Sequence, residues 1–364
     1  MGDAVQNFVD RRTMHLFFDK SYTTRRKRPP LKALVLLTEL GVEELPVILS
    51  QREKLSRVFH VQVDPLGEEL YRVLFQRMIG LTAPKKEVII DAGQKGAWIV
   101  LTDAGSYFVT HVLERFFNKL YPMISRIYLN YAQMRLLLKL IRDSYHGRTA
   151  ATFFTVKRER RKPRDEEVRK RKVATEILWD EDVDAEIRRL LVEGFSVRVG
   201  RLDFEVRDEN ETVLLQAHVT RKGLCKLRFG GFSAFYQNVV HAAIGFGLER
   251  RNFYDKRERS IEKGMIKLRP LQIEYPLSLR QDQLDDFARS ITSTYSSSII
   301  HGGNPYFIAS LCDYEDGSSF NVAVLGNIVT VTPFTRATPQ AVWRLLDKVQ
   351  EILGDGEAID VRVR

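Results

Sequence analysis

Three aspartates and an asparagine in the first half of the chain are where a reaction could begin. Asp64, Asp91, Asp103 and Asn130 each follow a run expected to form a strand. In an open α/β sheet, the carboxyl ends of the strands make the ligand-binding edge. Carboxylates gathered there could hold Mg²⁺ and stabilise charge on a transferring phosphoryl group. The catalytic candidates under that reading are Asp91, Asp103 and Asp64, and Mg²⁺ is the only cofactor it calls for. Asp91-Ala-Gly-Gln-Lys95 also sets a lysine near an acid, a pairing useful to metal-dependent nucleases, but a second carboxylate is missing at the matching spacing. Helix capping competes with this chemistry. Asp64 precedes Pro65, and Asp103 and Asn130 each precede a helical pattern, so each suits the free amides of a first turn. Asp91 lacks that excuse and reads as a hairpin end.

Basic residues offer a second chemistry, binding to phosphate. Lys157 to Lys172 reads KRERRKPRDEEVRKRK, ten basic residues against four acidic ones, and so holds six of the ten net positive charges of the chain. Pro163 divides it. Before the proline, Lys157, Arg158, Arg160, Arg161 and Lys162, continued by Arg164, are opposed by Glu159 alone. After it, Asp165 to Glu167 lead and Arg169 to Lys172 close a charged helical pattern that pairs within itself. Arg25, Arg26, Lys27 and Arg28 precede Pro29-Pro30, which favours an extended arm. Arg250, Arg251, Lys256, Arg257 and Arg259 are interleaved with Phe253 and Tyr254, a mixture suited to single strands. These three clusters are the expected nucleic-acid contacts, and phosphate contacts give affinity without reading sequence.

Other motifs are weaker. Arg228 to Phe235 matches the aromatic octapeptide of RNA-binding sheets at Gly231, Phe232 and Phe235, and misses it at Phe229, Gly230 and Ser233. Gly230-Gly231 also suits a turn from strand into helix. His218, His241 and His301 have no partners at metal spacing, and Cys225 and Cys312 form no Cys-x-x-Cys pair. No Gly-x-Ser-x-Gly, His-Glu-x-x-His or phosphate-loop motif occurs.

The elements that must position these residues read as follows. A polar helix opens the chain to about residue 20. Strands are expected at 32–38, 57–63, 87–91, 97–102 and 126–129, and helices at 66–79, 106–121 and 132–145. Strands alternating with helices imply crossovers and a parallel or mixed sheet. Beyond the charged stretch, an antiparallel meander is expected at 195–229, followed by a helix at 233–247. A strand at 271–275 precedes a helix that Ser278 and Gln281 would cap. A loop over 292–298, three strands over 306–332 and a last helix beginning at Pro339 complete the pattern. The expected organisation is an α/β domain over 1–156, a basic connector over 157–172 and an α+β domain over 173–364.

The chain has 364 residues, 44% apolar and 29% charged, and a pI near 9.5. That is globular composition, with no apolar run long enough to cross a membrane and no secretory leader at the start. Two cysteines and no leader fit the cytoplasm, or the nucleus in a eukaryote. The expectation is a nucleic-acid-binding protein, for DNA or RNA, without catalysis of its own and without a cofactor, acting as a subunit of a larger protein complex. The alternatives are the Mg²⁺-dependent phosphoryl-transfer enzyme above and a scaffold whose basic stretches dock an acidic protein.

Overall fold

The computed structural model describes residues 10–24, 28–78, 85–120, 123–129, 131–145, 148–158, 178–179, 197–255, 260–262, 265–267, 270–302, 306–315, 317–334, 337, 339–354 and 356–360. These divide into two compact units. The first takes in the described residues up to Val156, Leu178 and Trp179, and Val199 to Leu248; the second takes in Lys157, Arg158, Val197, Arg198 and those from Glu249 onward.

The first unit is built on one large sheet. Its strands are β1 (Leu31–Thr38), β2 (Phe59–Gly67), β3 (Leu70–Arg77), β4 (Lys85–Gln94), β5 (Ala97–Thr102), β6 (Ile124–Arg126), β7 (Arg148–Arg158), β8 (Leu178–Trp179), β9 (Val197–Arg207), β10 (Val213–Thr220) and β11 (Leu224–Gly230). They lie in the order β2-β3-β4-β5-β1-β11-β10-β9-β7-β8, with β6 beside β1. The pairings of β1 with β5, β6 and β11 are all antiparallel. So are those that join β2 through β5 and β9 through β11. The expected parallel crossovers are therefore replaced by hairpins.

One miscounted element accounts for much of that difference. Residues 66–79 space Leu70 and Val73 as a helix would, yet Leu70–Arg77 is β3. Gly67, Glu68 and Glu69 all take positive φ and turn the chain, and Val73 then pairs with Val63 on one side and Val88 on the other. Two corrections follow for the aspartates. Asp64 lies within β2 opposite Arg72, and the helix after Asp103 takes Gly105 as its N-cap, so neither aspartate is a cap.

Helices cover the sheet. They are α1 (Arg11–Thr24), α2 (Leu45–Ser50), α3 (Glu53–Ser56), α4 (Ser106–Phe108, a π-helical Val109–Leu113 and Glu114–Lys119), α5 (Tyr131–Tyr145) and α6 (Phe232–Phe235, a π-helical Tyr236–His241 and Ala242–Asp255). Phe108, Val112, Phe116 and Phe117 of α4 pack on Leu34, Leu36, Val88 and Val100 of the sheet. Phe116 meets Phe59 and Phe75 edge-on at 5.4 and 5.1 Å, the geometry that ring quadrupoles favour.

The expected meander appears as β9, β10 and β11. However, β11 bonds to β1, so these strands extend the first sheet across the expected boundary at 173.

A short pair, β12 (Ser260–Glu262) and β13 (Met265–Lys267), precedes the second sheet. That sheet orders β15 (Ser296–Gly302), β16 (Tyr306–Cys312), β17 (Ser319–Leu325), β18 (Ile328–Pro333), β14 (Leu271–Glu274) and β19 (Glu357–Asp360), and its pairings are antiparallel. The helices α7 (Gln281–Thr292) and α8 (Pro339–Leu353) share its core through Phe287, Ile291, Leu345, Leu346 and Val349. Two local expectations change here. Of the hydroxyl-rich stretch expected as a loop over 292–298, the turn at 293–295 is as expected, while 296–298 begin the edge strand β15, which is mostly exposed. The cap of α7 is Arg280, whose amide donates to Gln283 Oε1 at 3.0 Å. The fold therefore mixes helices with two large antiparallel sheets. Among the described residues, no helix is long and apolar enough to cross a membrane.

Candidate functional site

Two arrangements in the first unit bring functional groups together. One is a pocket of about 470 Å³ lined by Arg11, Arg12, His15, Asp91, Gly93, Gln94, Ile99, Tyr236, Gln237 and His241. Arg11 and His15 are four residues apart and so share a face of α1. Asp91 comes from β4, where a bulge interrupts the pairing between Asp91 and Gln94. Tyr236 and His241 open and close the π-helical turn of α6. One i→i+5 turn stacks residues five apart, and the two rings meet edge-on at 4.8 Å.

Asp91 is the anchor of this pocket and is 3% exposed. Arg11 donates to it twice, through Nε at 2.9 Å and Nη2 at 2.8 Å. Tyr236 donates its hydroxyl at 2.5 Å and the Gly93 amide donates at 3.0 Å. The close fit of Arg11 explains the glycine: a Cβ at Gly93 would fall 1.9 Å from Arg11 Nη2. Burial alone would raise the carboxyl pKa. The bonds from Arg11, Tyr236 and Gly93 outweigh it and hold Asp91 below the ordinary carboxylate value. Burial, reinforced by Asp91, pushes the Tyr236 phenol well up.

His15 is oriented by a relay. Ser233 receives its amide bond partner from α1, with its N–H donating to Asp19 Oδ1 at 2.9 Å and its hydroxyl to Asp19 Oδ2. The single hydroxyl proton is thereby used. Ser233 Oγ, 3.1 Å from His15 Nδ1, must accept from it, which protonates Nδ1 and leaves Nε2 as an acceptor. His15 also meets the rings of Phe232 and Tyr236, each at 4.9 Å. Burial lowers the pKa of both His15 and His241, with Asp91 opposing the shift in each case.

The second arrangement is a cationic row on the sheet. Lys32 of β1 lies directly opposite Lys226 of β11, Lys226 opposite His218 of β10, and His218 opposite Asp203 of β9. Arg201 and Arg228 stand two residues from Asp203 and Lys226 on the same face. Like charges directly opposed across a sheet are destabilising. Burial, with Lys226 beside it, lowers the pKa of Lys32; burial, with Arg201 and Arg228, lowers that of Lys226. Asp203 accepts Arg201 Nε at 2.5 Å and lies 3.6 Å from Arg228. His218 is 1% exposed, and neither ring nitrogen has a hydrogen-bond partner. Burial and the neighbouring cations push its pKa down to about 2.

The three candidate carboxylates are dispersed. Asp91 is saturated by its four donors, Asp64 pairs with Gln62 at 3.2 Å, and Asp103 acts on Lys32 and Tyr22. No group of three or more metal-ligating residues occurs among the described residues. Among the basic candidates, Arg28 lies over the Phe17 ring at 5.7 Å. Lys157 and Arg158 end β7, and Arg250 and Arg251 lie in α6. Arg25, Arg26, Lys27, Arg160, Arg161, Lys162, Arg164, Lys256, Arg257 and Arg259 are outside the described residues, as is Asn130. The aromatic octapeptide does not form a stacking platform, because Phe232 and Phe235 are fully buried. No protein-family model matches the chain, and no curated protein is significantly similar to it.

Proposed function

We propose that the protein binds nucleic acid through its phosphate backbone. The cationic row carries the reading. Lys226, Arg228 and Arg201 stand together on that face, Asp203 offsets only part of their charge, and a polyanion would offset the rest; Lys32, opposite Lys226, is buried with its ammonium on the Ala104 carbonyl and adds its field rather than a contact. The net charge of +10 and the charged stretch at 157–164 act in the same direction by steering a polyanion towards the chain. The Mg²⁺-dependent reading is less well supported, because Asp91 would have to give up Arg11 to take a cation. The test is fluorescence anisotropy with labelled single- and double-stranded DNA and RNA over a range of salt. Affinity should fall steeply with salt, and the double variant Lys226→Glu, Arg228→Glu should flatten the slope by about two neutralised phosphates. Binding that is absent at low salt, or that is unchanged by the double variant, refutes the proposal.

A further inference from the structure

We propose that the pocket between α1, β4 and α6 is a metal-independent acid–base site that cleaves RNA, with His15 as proton acceptor and His241 as proton donor. The choice of RNA as substrate rests on the nucleic-acid reading above; the site itself rests on its own geometry.

Three features point to this chemistry. The Asp19–Ser233 relay fixes His15 with Nδ1 protonated, so Nε2 is presented as a base by positioning residues outside the pocket. A second imidazole, His241, lines the same pocket and meets the same Tyr236 ring edge-on at 4.8 Å, against 4.9 Å for His15. The pocket also holds charge for a phosphodiester. Arg11 and Arg12 are opposed there by Asp91, which leaves one positive charge, and Gln94 and Gln237 add amide donors. Arg11 and Tyr236 both donate to Asp91, which fixes these three side chains in the pocket lining beside the imidazoles.

In the step, the ribose 2′-hydroxyl gives its proton to His15 Nε2 and its oxygen bonds to phosphorus. The P–O5′ bond breaks, and O5′ takes the proton of the His241 imidazolium. The products are a 2′,3′-cyclic phosphate and a 5′-hydroxyl end, with the protonation of the two histidines exchanged. RNA supplies its own nucleophile, so no metal or activated water is required.

The pH profile follows from the groups facing the two rings. Asp91 and Asp19 raise the His15 pKa and Arg11 and His241 lower it; Asp91 raises that of His241 and Arg11 lowers it. Burial outweighs these effects in both rings and places both values below that of an ordinary histidine. The reaction needs His15 neutral and His241 protonated, so the rate should peak on the acid side of neutrality and fall above it.

The experiment incubates the full chain with end-labelled RNA in EDTA across the acid-to-neutral range and separates the products on a denaturing gel. The expected result is cleavage that leaves cyclic phosphate ends, with no cleavage of DNA of the same sequence or of RNA methylated at the 2′-oxygens. His15→Ala and His241→Ala should each lower the rate by about a hundredfold or more, and added imidazole should restore part of it. Ser233→Ala, which frees the His15 tautomer, should shift the acid limb of the pH profile as well as the rate. Anisotropy with the same RNA is read in parallel. Binding without cleavage refutes the site and leaves the binding reading intact; absence of both refutes the two together. Cleavage that persists in both histidine variants, or that includes DNA, also overturns the proposal.

Discussion

Replacing Asp91 by asparagine tests whether the buried carboxylate is the anchor its geometry makes it. The substitution keeps the shape and removes the charge. One oxygen of the carboxylate accepts from Arg11 Nη2 and the Gly93 amide; the other accepts from Arg11 Nε and the Tyr236 hydroxyl. The amide nitrogen of asparagine must replace one of the two. The Tyr236 hydroxyl can rotate to accept from it, but Arg11 Nε cannot, so at least one donor faces a donor. A hydrogen bond to a charged partner contributes roughly 1.5–3 kcal/mol. The Arg11 side chain is 36% exposed, so water replaces part of what it loses. The net cost is about 2–3 kcal/mol, or a fall of roughly 5–10 °C in Tm for a unit of this size. The sign of the pH dependence follows from the depressed carboxyl pKa. Its stabilisation is fully present above the unfolded value, about 3.9, and is lost as pH falls through the lower folded value. Thermal melts of the parent and Asp91→Asn, followed by circular dichroism from neutral to acid pH, should show a full deficit at neutrality that closes in acid. A variant as stable as the parent, or a deficit independent of pH, would falsify this account of the pocket wall.

Three further outcomes are expected. His218 stays neutral in the fold down to about pH 2 while the unfolded chain takes up a proton below about pH 6.5, so the parent loses stability as pH drops from neutral; the loss reaches about 2 kcal/mol near pH 5 and should be absent in His218→Leu when denaturant midpoints are compared. Gly230 has φ +112°, and a Cβ there would meet the Leu214 carbonyl oxygen at 2.5 Å, so Gly230→Ala should cost at least about 1–3 kcal/mol in the same assay. In the second unit, Arg344 donates to the buried Asp313 at 2.7 Å, and Asp313→Ala should destabilise by about 3–5 kcal/mol, with a larger effect than Glu315→Ala at the exposed partner of the same arginine.

Much of the local structure is legible in the sequence. Short continuous apolar runs identify β1 and β5, which are buried on both faces, while alternation and helical periodicity identify α4, the meander of β9 to β11 and the strands β16 to β18. Pairing partners are a different matter. Nothing near Lys32 states that its neighbour is Lys226, and the energy that decides this is spread over the contact of β1 with β11. The same limit turned hairpins into expected crossovers. Once Leu70 and Val73 are read at helical spacing, β2 and β4 appear to be separated by a helix, and a parallel arrangement is the natural consequence. The signal against that reading is the Gly67-Glu68-Glu69 turn followed by Tyr71, Val73 and Phe75, residues that suit a strand.

The pocket shows where sequence reading can go further. Asp91 stands out because it is an acid with no capping duty, and the structure does give it an uncommon environment. The chemistry differs from a metal site because its charge is already met by an arginine eighty residues earlier. Tyr236 and His241 escape a search at helical spacing because they are five apart, a separation that meets only where a π-turn widens the helix. Such a turn forfeits regular i→i+4 bonding, and here it sets a phenol on the buried carboxylate and an imidazole into the adjoining pocket. Gly230, which ends β11, Gly231, which caps α6, and the phenylalanines that bury the start of α6 fix where that turn falls. The residues first read as an aromatic binding motif are therefore what hold Tyr236 and Ser233 in place. Their contribution to any function is the positioning of the groups beside them.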